Sequence, residues 1–524
     1  MKVMSKLYVF IIVVFCYSVK AQFPNVLIST YNNPEEVSIA INPKNTNQII
    51  AGANLNNRYK SSDGGLTWQK STLICTAYSV YGDPVVFWDT TGNAYFMHLS
   101  NPPPSTTGGS WVDRIVIQKS TDAGTSYPQC VGVGKNGVKV QDKAWYAINP
   151  EDNSIHITWT QFDHYGTTST LDTSLILYSK SIDEGLTWST PKRISKIGGD
   201  CVDSDNTVEG AVPAIGPNGE VYVVWNGPNG LVFQKSLDGG TTWLAQETPV
   251  ISTPNGWDYI VTGLQRCNGL PFTMCDLSNS NYKGTIYVNW SDQRIGNTDT
   301  DVFVIKSTDA GATWSLPIRV NDDAPGKHQF MSSMSIDQVT GFVYVLFYDR
   351  RNHIGNDSTD VYLAVSKDGG TSFQNYKVNQ QSFKPTSSTF FGDYIGISAH
   401  NNVVRPIWMQ LNSGQLSVYT AIIDAVTLSI KTEEENEIQH ILVKPNPSKE
   451  EAAVSFSLNK KEKLSVQLID SNGKIINSPI TAKSLAKGNH SIVINKTELS
   501  LSTGVYYLVF YTNKKSNYIK IAFE

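Results

Sequence analysis

Carboxylates recur just ahead of apolar, strand-like runs in this chain: Glu36, Asp83, Asp142 beside Lys143, Glu209, and Asp393 beside Tyr394. His328 with Gln329 holds the same place ahead of another run. If the fold brings these starts to one point, several carboxyls share a site. One of them, with its pKa raised by burial and like charge, becomes a general acid, and a neighbour becomes the base. Such a pair suits glycoside cleavage, with Asp142, Glu209 or Asp393 as acid and another carboxylate or Tyr394 as nucleophile or base. His328 or Tyr394 could instead move protons in a lyase acting on a uronate. The same acidity, with Asp200, Asp203 and Asp205 close by, could hold Ca²⁺, although the spacing is not that of an EF-hand.

A second group carries cations and aromatics. Trp290-Ser-Asp-Gln-Arg294 is followed by Asp301, and Phe347-Tyr-Asp-Arg-Arg351 by Asp360, so one loop occurs twice. Arg294 aligns with Arg351, and a repeated Asp–Arg pair reads first as loop scaffolding. Arg350 aligns with Gln293 and is the freer candidate to hold a sugar carboxylate. Trp145 and Trp257 head a set of aromatics on which a sugar could stack, with Trp111, Tyr165, Tyr259 and Phe391 behind them.

Positioning these residues requires a repeat, and the chain has one. Ser61-Ser-Asp-Gly-Gly-Leu-Thr-Trp68 recurs, with variation, from Ser120, Ser181, Ser236, Ser307 and Ser366. The Asp caps turn amides, Gly supplies positive φ, and the closing aromatic packs between neighbouring sheets. Around each turn lie alternating runs of strand length, as in Val221-Tyr-Val-Val-Trp225 and Leu231-Val-Phe-Gln-Lys-Ser236. Four antiparallel strands per unit make a propeller blade. A seventh unit without the turn runs from Tyr394 to Ile423 with three strands, and Asn25 to Thr30 supplies its fourth. The expectation is an all-β propeller of seven blades, six being the alternative, with units starting near Glu36, Asp83, Trp145, Glu209, Asp276 and Met331. The turns then lie on one face and the candidate residues on the other.

These six turns resemble the Asp box of the sialidase or BNR-repeat superfamily. The resemblance implies a propeller and an extracellular glycan ligand. The first inner strand reads Glu36-Val-Ser-Ile-Ala-Ile-Asn-Pro43, where sialidases carry Arg-Ile-Pro, and three clamp arginines cannot be assigned. Hydrolase, lyase and non-catalytic glycan- or protein-binding module remain the three functional classes, with the hydrolase first.

The ends of the chain read as export signals. Lys2 and Lys6 precede the apolar run Leu7 to Tyr17, and residues 1–21 form a secretory signal. No later run is long and apolar enough to span a bilayer. After residues 22–430 and a polar linker, 431–440, a small β-sandwich is expected over 441–524. Its Lys444-Pro-Asn-Pro447, Asp470-Ser-Asn-Gly-Lys474 and Leu501-Ser-Thr-Gly-Val-Tyr-Tyr507 resemble the type IX sorting domain of Bacteroidetes, which implies contact with that secretion machinery and a secreted or surface-attached product. Export permits disulfides: Cys267 with Cys275 is the first choice, Cys75 with Cys130 the second, leaving Cys201. A net charge of −4 speaks against a nucleic-acid partner.

Overall fold

The computed structural model describes residues 23–100, 112–353, 355–429, 438–470, 474–512 and 516–524. The expected secretory signal, Trp111 and most of the expected linker lie outside them. The chain divides into two compact units between Ala425 and Val426.

The first unit consists of antiparallel sheets alone. One sheet runs Glu209–Ile215, Val221–Asn226, Leu231–Ser236 and Thr248–Ile251, each strand paired with the next. Five more repeat that order, and their first strands are Ser38–Ile41, Val85–Trp88, Val140–Ile148, Phe272–Cys275 and Gln329–Ile336. A further sheet begins with Gly396–His400 and ends with Gln415–Ala421, against which Asn25–Ser29 pairs from the other end of the chain. These first strands adjoin one another in a closed ring, with Gly396–His400 beside Ser38–Ile41. Closure leaves no open sheet at either end of the series. The unit is a propeller.

Burial follows from this arrangement. Each sheet hides both faces, so the cores lie between neighbouring sheets: Phe87, Tyr95 and Trp159 fill one such layer, and Tyr222, Phe233 and Trp290 another. Serines stitch the inner ring. Ser38 accepts the Val86 amide at 3.0 Å, Ser335 that of Ala399 at 3.1 Å, and Ser398 that of Ile41 at 3.1 Å.

The repeated turns form as their chemistry dictates. In the first, the Ser61 hydroxyl donates to Asp63 (2.8 Å) and accepts the Gly65 amide (2.9 Å), while Asp63 accepts the Thr67 amide (2.9 Å). The same contacts recur around Asp122, Asp183, Asp238, Asp309 and Asp368. Thr187 holds the Asp183 carboxyl below the usual carboxylate range through its hydroxyl and amide. The closing aromatics dock on the preceding sheet: Trp243 meets Tyr178 edge-on at 4.9 Å, and Trp314 meets Phe233 at 5.4 Å.

Two expectations need correction. Cys75 and Cys130 form the disulfide, whereas Cys201, Cys267 and Cys275 are free and buried. Cys275 ends the inner strand Phe272–Cys275, and that strand carries it down the axis, away from Cys267 in the loop above. The fifth unit accordingly starts at Phe272, and Asp276 marks the end of its first strand, where its carboxylate accepts the Ser278 amide at 2.7 Å.

The second unit is a sandwich of two sheets, one of Ile438–Lys444, Glu451–Leu458 and Gly488–Asn495, the other of Ile475–Leu485, Glu462–Asp470, Gly504–Tyr511 and Ser516–Phe523. Val454, Phe456, Val466, Leu468, Leu508 and Phe510 fill its core. Among the described residues no helix is long and apolar enough to cross a membrane.

Candidate functional site at the end of the propeller axis

In a four-stranded meander the first strand starts on the face opposite the turn between the third and fourth strands. The starts of the inner strands therefore converge on the end of the axis away from the repeated turns. Their backbones bend to aim side chains inward. Glu36, Asp83, Lys143 and Met331 adopt φ of 51°, 48°, 49° and 49°, a left-handed conformation uncommon for residues with a β-carbon and worth of order 1–3 kcal/mol of local strain each. Register breaks follow in the third, fourth and sixth of these strands.

Lys143 is the hub. Its ammonium lies 2.7 Å from Asp393, 3.3 Å from Asp83 and 3.8 Å from Glu36. Burial opposes its charge, but these carboxylates win and raise its pKa well above the ordinary lysine value. Arg266 grips Asp393 from the other side with Nε at 2.7 Å and a second bond from Nη2, and its Nη1 lies 3.6 Å from Asp203. Burial alone would raise Asp393, yet Lys143 and Arg266 outweigh it and hold the group down at about 2.

The other carboxyls behave in the opposite way. Burial raises Asp142 to about 7, helped by Asp83 and Asp203 against the pull of Lys143. Glu209 is 1% exposed, and no donor reaches either of its oxygens. Burial, then Asp203 and Asp142 as like charges, push it well above the carboxylate range. Glu36 is raised by burial and by Asp83, although Asn54 donates to it.

Two small spaces open here. One, about 30 Å³, is lined by Glu209, Asp203, Asp258, Trp257, Arg266 and Asp393 among others. The second, about 20 Å³, is lined by Tyr394, Trp145, Phe272, Met331 and Asn268 among others. Trp145 stands edge-on to Phe272 at 4.9 Å and to Tyr394 at 5.5 Å. Trp145 and Phe272 also line the axial channel of about 560 Å³ that runs toward the turn face. These aromatics are the floor between channel and mouth.

The roof is the long loop between Ile251 and Phe272. Arg266 and Asn268 tie it to Asp393, Asn268 through the Asp393 carbonyl at 3.0 Å. Trp257 donates to the Thr207 carbonyl at 3.2 Å, and Gln293 to that of Ile260 at 3.0 Å. The loop also explains Arg350. This residue is 3% exposed, and its Nη1 donates to the Thr262 carbonyl at 2.8 Å and lies 3.4 Å from Asp357. It is a loop fastener, not the free guanidinium expected.

The remaining candidates separate cleanly. Glu209, Asp393, Tyr394, Trp145 and Trp257 meet at the mouth, and Asp142 joins them through its charge interactions. Asp393 is tied as a permanent carboxylate and cannot act as an acid near neutral pH. Burial, then Asp83 and Glu36, push the Tyr394 phenol far above its usual value, so it is a neutral hydroxyl. His328 lies elsewhere: it bonds Thr300 at 2.9 Å, and burial beside Arg350 lowers it to about 4. Its strand offers Met331 and Ser332 to the mouth instead. Arg294 is spent on Asp292 (2.9 Å from Nε) over the Phe303 ring. Arg351 is spent on Asp349 (2.7 Å) over Tyr362. Trp257 is 5% exposed, a wall and not an open stacking surface. Among the described residues no group of three or more His, Cys, Asp or Glu is placed to hold a metal ion. Asp200 accepts from Thr207, Asp205 from the Asp258 amide, and Asp203 from Tyr165.

Comparison with known proteins divides along the two units. Residues 442–524 match the family described as the secretion system C-terminal sorting domain. The second unit is a type IX sorting domain. Its sandwich core and the turn in which Asp470 accepts the Lys474 amide at 3.0 Å belong to that module, and the protein it carries is delivered to the cell surface or released. No curated protein matches the chain in sequence. Solved structures similar in fold include the Trypanosoma rangeli sialidase (11% identity, TM-score 0.40, 87% of this chain and 85% of that one). An α-L-arabinofuranosidase from Fusarium graminearum is similar at 12% identity and TM-score 0.44, over 78% and 99% of the two chains. An ulvan lyase is similar at 11% identity and TM-score 0.46, over 78% and 95%.

Proposed function

We propose that the propeller acts on extracellular glycans and cleaves a glycosidic bond at the covered end of its axis, with Glu209 as proton donor. One observation carries this reading: Glu209 is buried, lines the open space and has no donor on either oxygen, and burial with Asp203 and Asp142 nearby favours its protonated form. A carboxylic acid kept neutral by burial and like charge can serve as the proton donor in acid-assisted glycoside cleavage. Glu209 protonates the leaving oxygen. Asp203, oriented by the Tyr165 hydroxyl at 2.5 Å, is the carboxylate that receives a proton from water. Asp142, at about 7, tunes the pair through its charge. The spaces of about 20 and 30 Å³ hold a functional group, not a sugar ring, so turnover requires the roof loop to shift.

The test is a product assay of the secreted protein on neutral, amino-bearing and acidic glycans. E209Q is expected to lower the rate by about 10²-fold or more. Undiminished cleavage by E209Q overturns the assignment. A second reading, binding without chemistry, is favoured by the narrowness of the spaces and by the fastening of Asp393, and predicts retained binding with no product. A uronate lyase built on Arg350 and His328 has less support, because both side chains are engaged away from the mouth.

A further inference from the structure

The charge at the mouth is unbalanced. Glu36, Asp83, Asp142, Asp203, Glu209 and Asp393 gather around two fixed cations, Lys143 and Arg266. Arg294 and Arg351 are held by aspartates of their own loops, and Arg350 is held by the roof loop with its Nη2 buried away from the mouth space. Lys143 and Arg266 line this space too, but both already hold Asp393, so a negative substituent meets cations that have carboxylate partners, whereas a cation meets the two Glu209 oxygens, which have none.

Lys143 shows how this mouth holds an ammonium group: three carboxylates surround it within 3.8 Å. A second space lies beside it. It measures about 30 Å³ and is lined by Glu209, Asp203 and Asp258 together with Lys143, Arg266 and Asp393, and both Glu209 oxygens are unpartnered and buried. That volume suits one or two water-sized groups. Its rim includes Asp258, which is exposed, and Arg266, whose side chain is 42% exposed. A headgroup can therefore enter while the ring that bears it stays outside.

We propose that this space is the subsite for a primary ammonium group, and that the glycan recognised carries free amines, as a deacetylated hexosamine polymer does. The inference rests on the location assigned to the glycan site above, but it concerns binding and stands apart from cleavage. The Asp203 carboxylate and the carbonyl oxygen of the Glu209 acid accept the ammonium hydrogens, and Asp258 supplies charge at the rim. An N-acetyl group in the same place brings a bulky neutral amide and leaves the carboxylates unanswered. A sialoside or uronate brings the wrong sign.

Calorimetric titration of the full-length secreted protein tests this. The probes are a β-1,4-glucosamine tetramer, its fully N-acetylated counterpart, a sialylated trisaccharide and calcium chloride. The amine tetramer is expected to bind about tenfold or more tighter than the acetylated one, as loss of one charge-assisted bond implies, with the sialylated sugar weakest. E209L and D203N each bring the ratio toward one. E209L removes the acceptor without burying a new polar group, so it carries the test if D203N fails to fold. Equal binding of the two tetramers, or tighter binding of the sialylated sugar, overturns the proposal. Calcium binding that is lost in the same variants, without amine preference, also overturns it in favour of an inorganic cation. Amine-selective binding without product keeps this inference and sinks the hydrolytic one. Product release without amine preference does the reverse.

Discussion

Arg266 and Asp393 are joined by two parallel bonds, Nε to Oδ1 at 2.7 Å and Nη2 to Oδ2, across 127 positions of sequence. The pair pins the roof loop to the start of the seventh inner strand, and Lys143 completes it from the third. Asp393 is 5% exposed. Removing its charge strands Lys143 in a buried setting, which costs about 3–5 kcal/mol when a buried pair is broken, and it releases Arg266, whose side chain is 42% exposed and adds less. D393N is therefore expected to lower the melting temperature and to open the loop between Ile251 and Phe272 to proteolysis. An unchanged melt and an uncut loop would show that the pair is dispensable.

The raised carboxyls make stability depend on pH in a defined direction. Asp142 titrates near 7 in the folded chain and near the ordinary 3.8 when unfolded. Between those values the folded state holds the extra proton, so stability is greatest at the acid end and declines as pH rises toward 7. Glu209 and Glu36 act in the same sense over a range that begins near 4.5. Asp393 acts oppositely. Its contribution is present above 3.8 and is lost only as pH falls toward 2. D142N should flatten the decline between pH 4 and 7, and E209Q should raise the melting temperature at pH 8 more than at pH 4. Thermal melts across that range decide both, and a parallel shift at every pH would refute the assignment.

Local chemistry was legible in the sequence and distant pairing was not. The six turns form as read because Ser, Asp, Gly and a following Thr or Ser, all within seven positions, supply the contacts they need. Closure by Asn25–Ser29 was legible because the last unit lacked one strand. Convergence of Glu209, Asp393 and Tyr394 followed from their shared place in the repeat. Arg266 escaped notice because it lies in a loop with no repeat counterpart. The tying of Asp393 by Lys143 spans 250 positions and leaves no local trace. The bends at Glu36 and Lys143 were hidden because no glycine marks them. Cys267 and Cys275 looked paired by spacing, yet an inner strand intervenes.

The disulfide links the outer strands of adjacent sheets. Cys75 follows Gln69–Thr72 of the first, and Cys130 lies in Gln129–Val133 of the second. Closing a loop of 55 positions contributes about 4 kcal/mol in the chain-entropy picture. Reduction, or C75S, should lower the melting temperature. The protein from residue 22 onward, denatured without reductant, should titrate three thiols, those of Cys201, Cys267 and Cys275. Finding one thiol would mean that Cys267 and Cys275 are joined after all.

Sorting and folding should separate experimentally, because the sandwich has its own core and the propeller closes on itself through Asn25–Ser29. A chain ending at residue 425 keeps every strand of the inner ring. It should fold with an all-β circular-dichroism spectrum and the thiol count given above. Without residues 442–524, however, it lacks what the outer-membrane machinery recognises, and it should accumulate in the periplasm of a type IX-competent host. Fractionation of that host with antibody against the propeller decides the matter. Truncated protein in the medium at the level of the full chain would mean that another segment directs export, and degradation in the periplasm would mean that the propeller does not fold unaided.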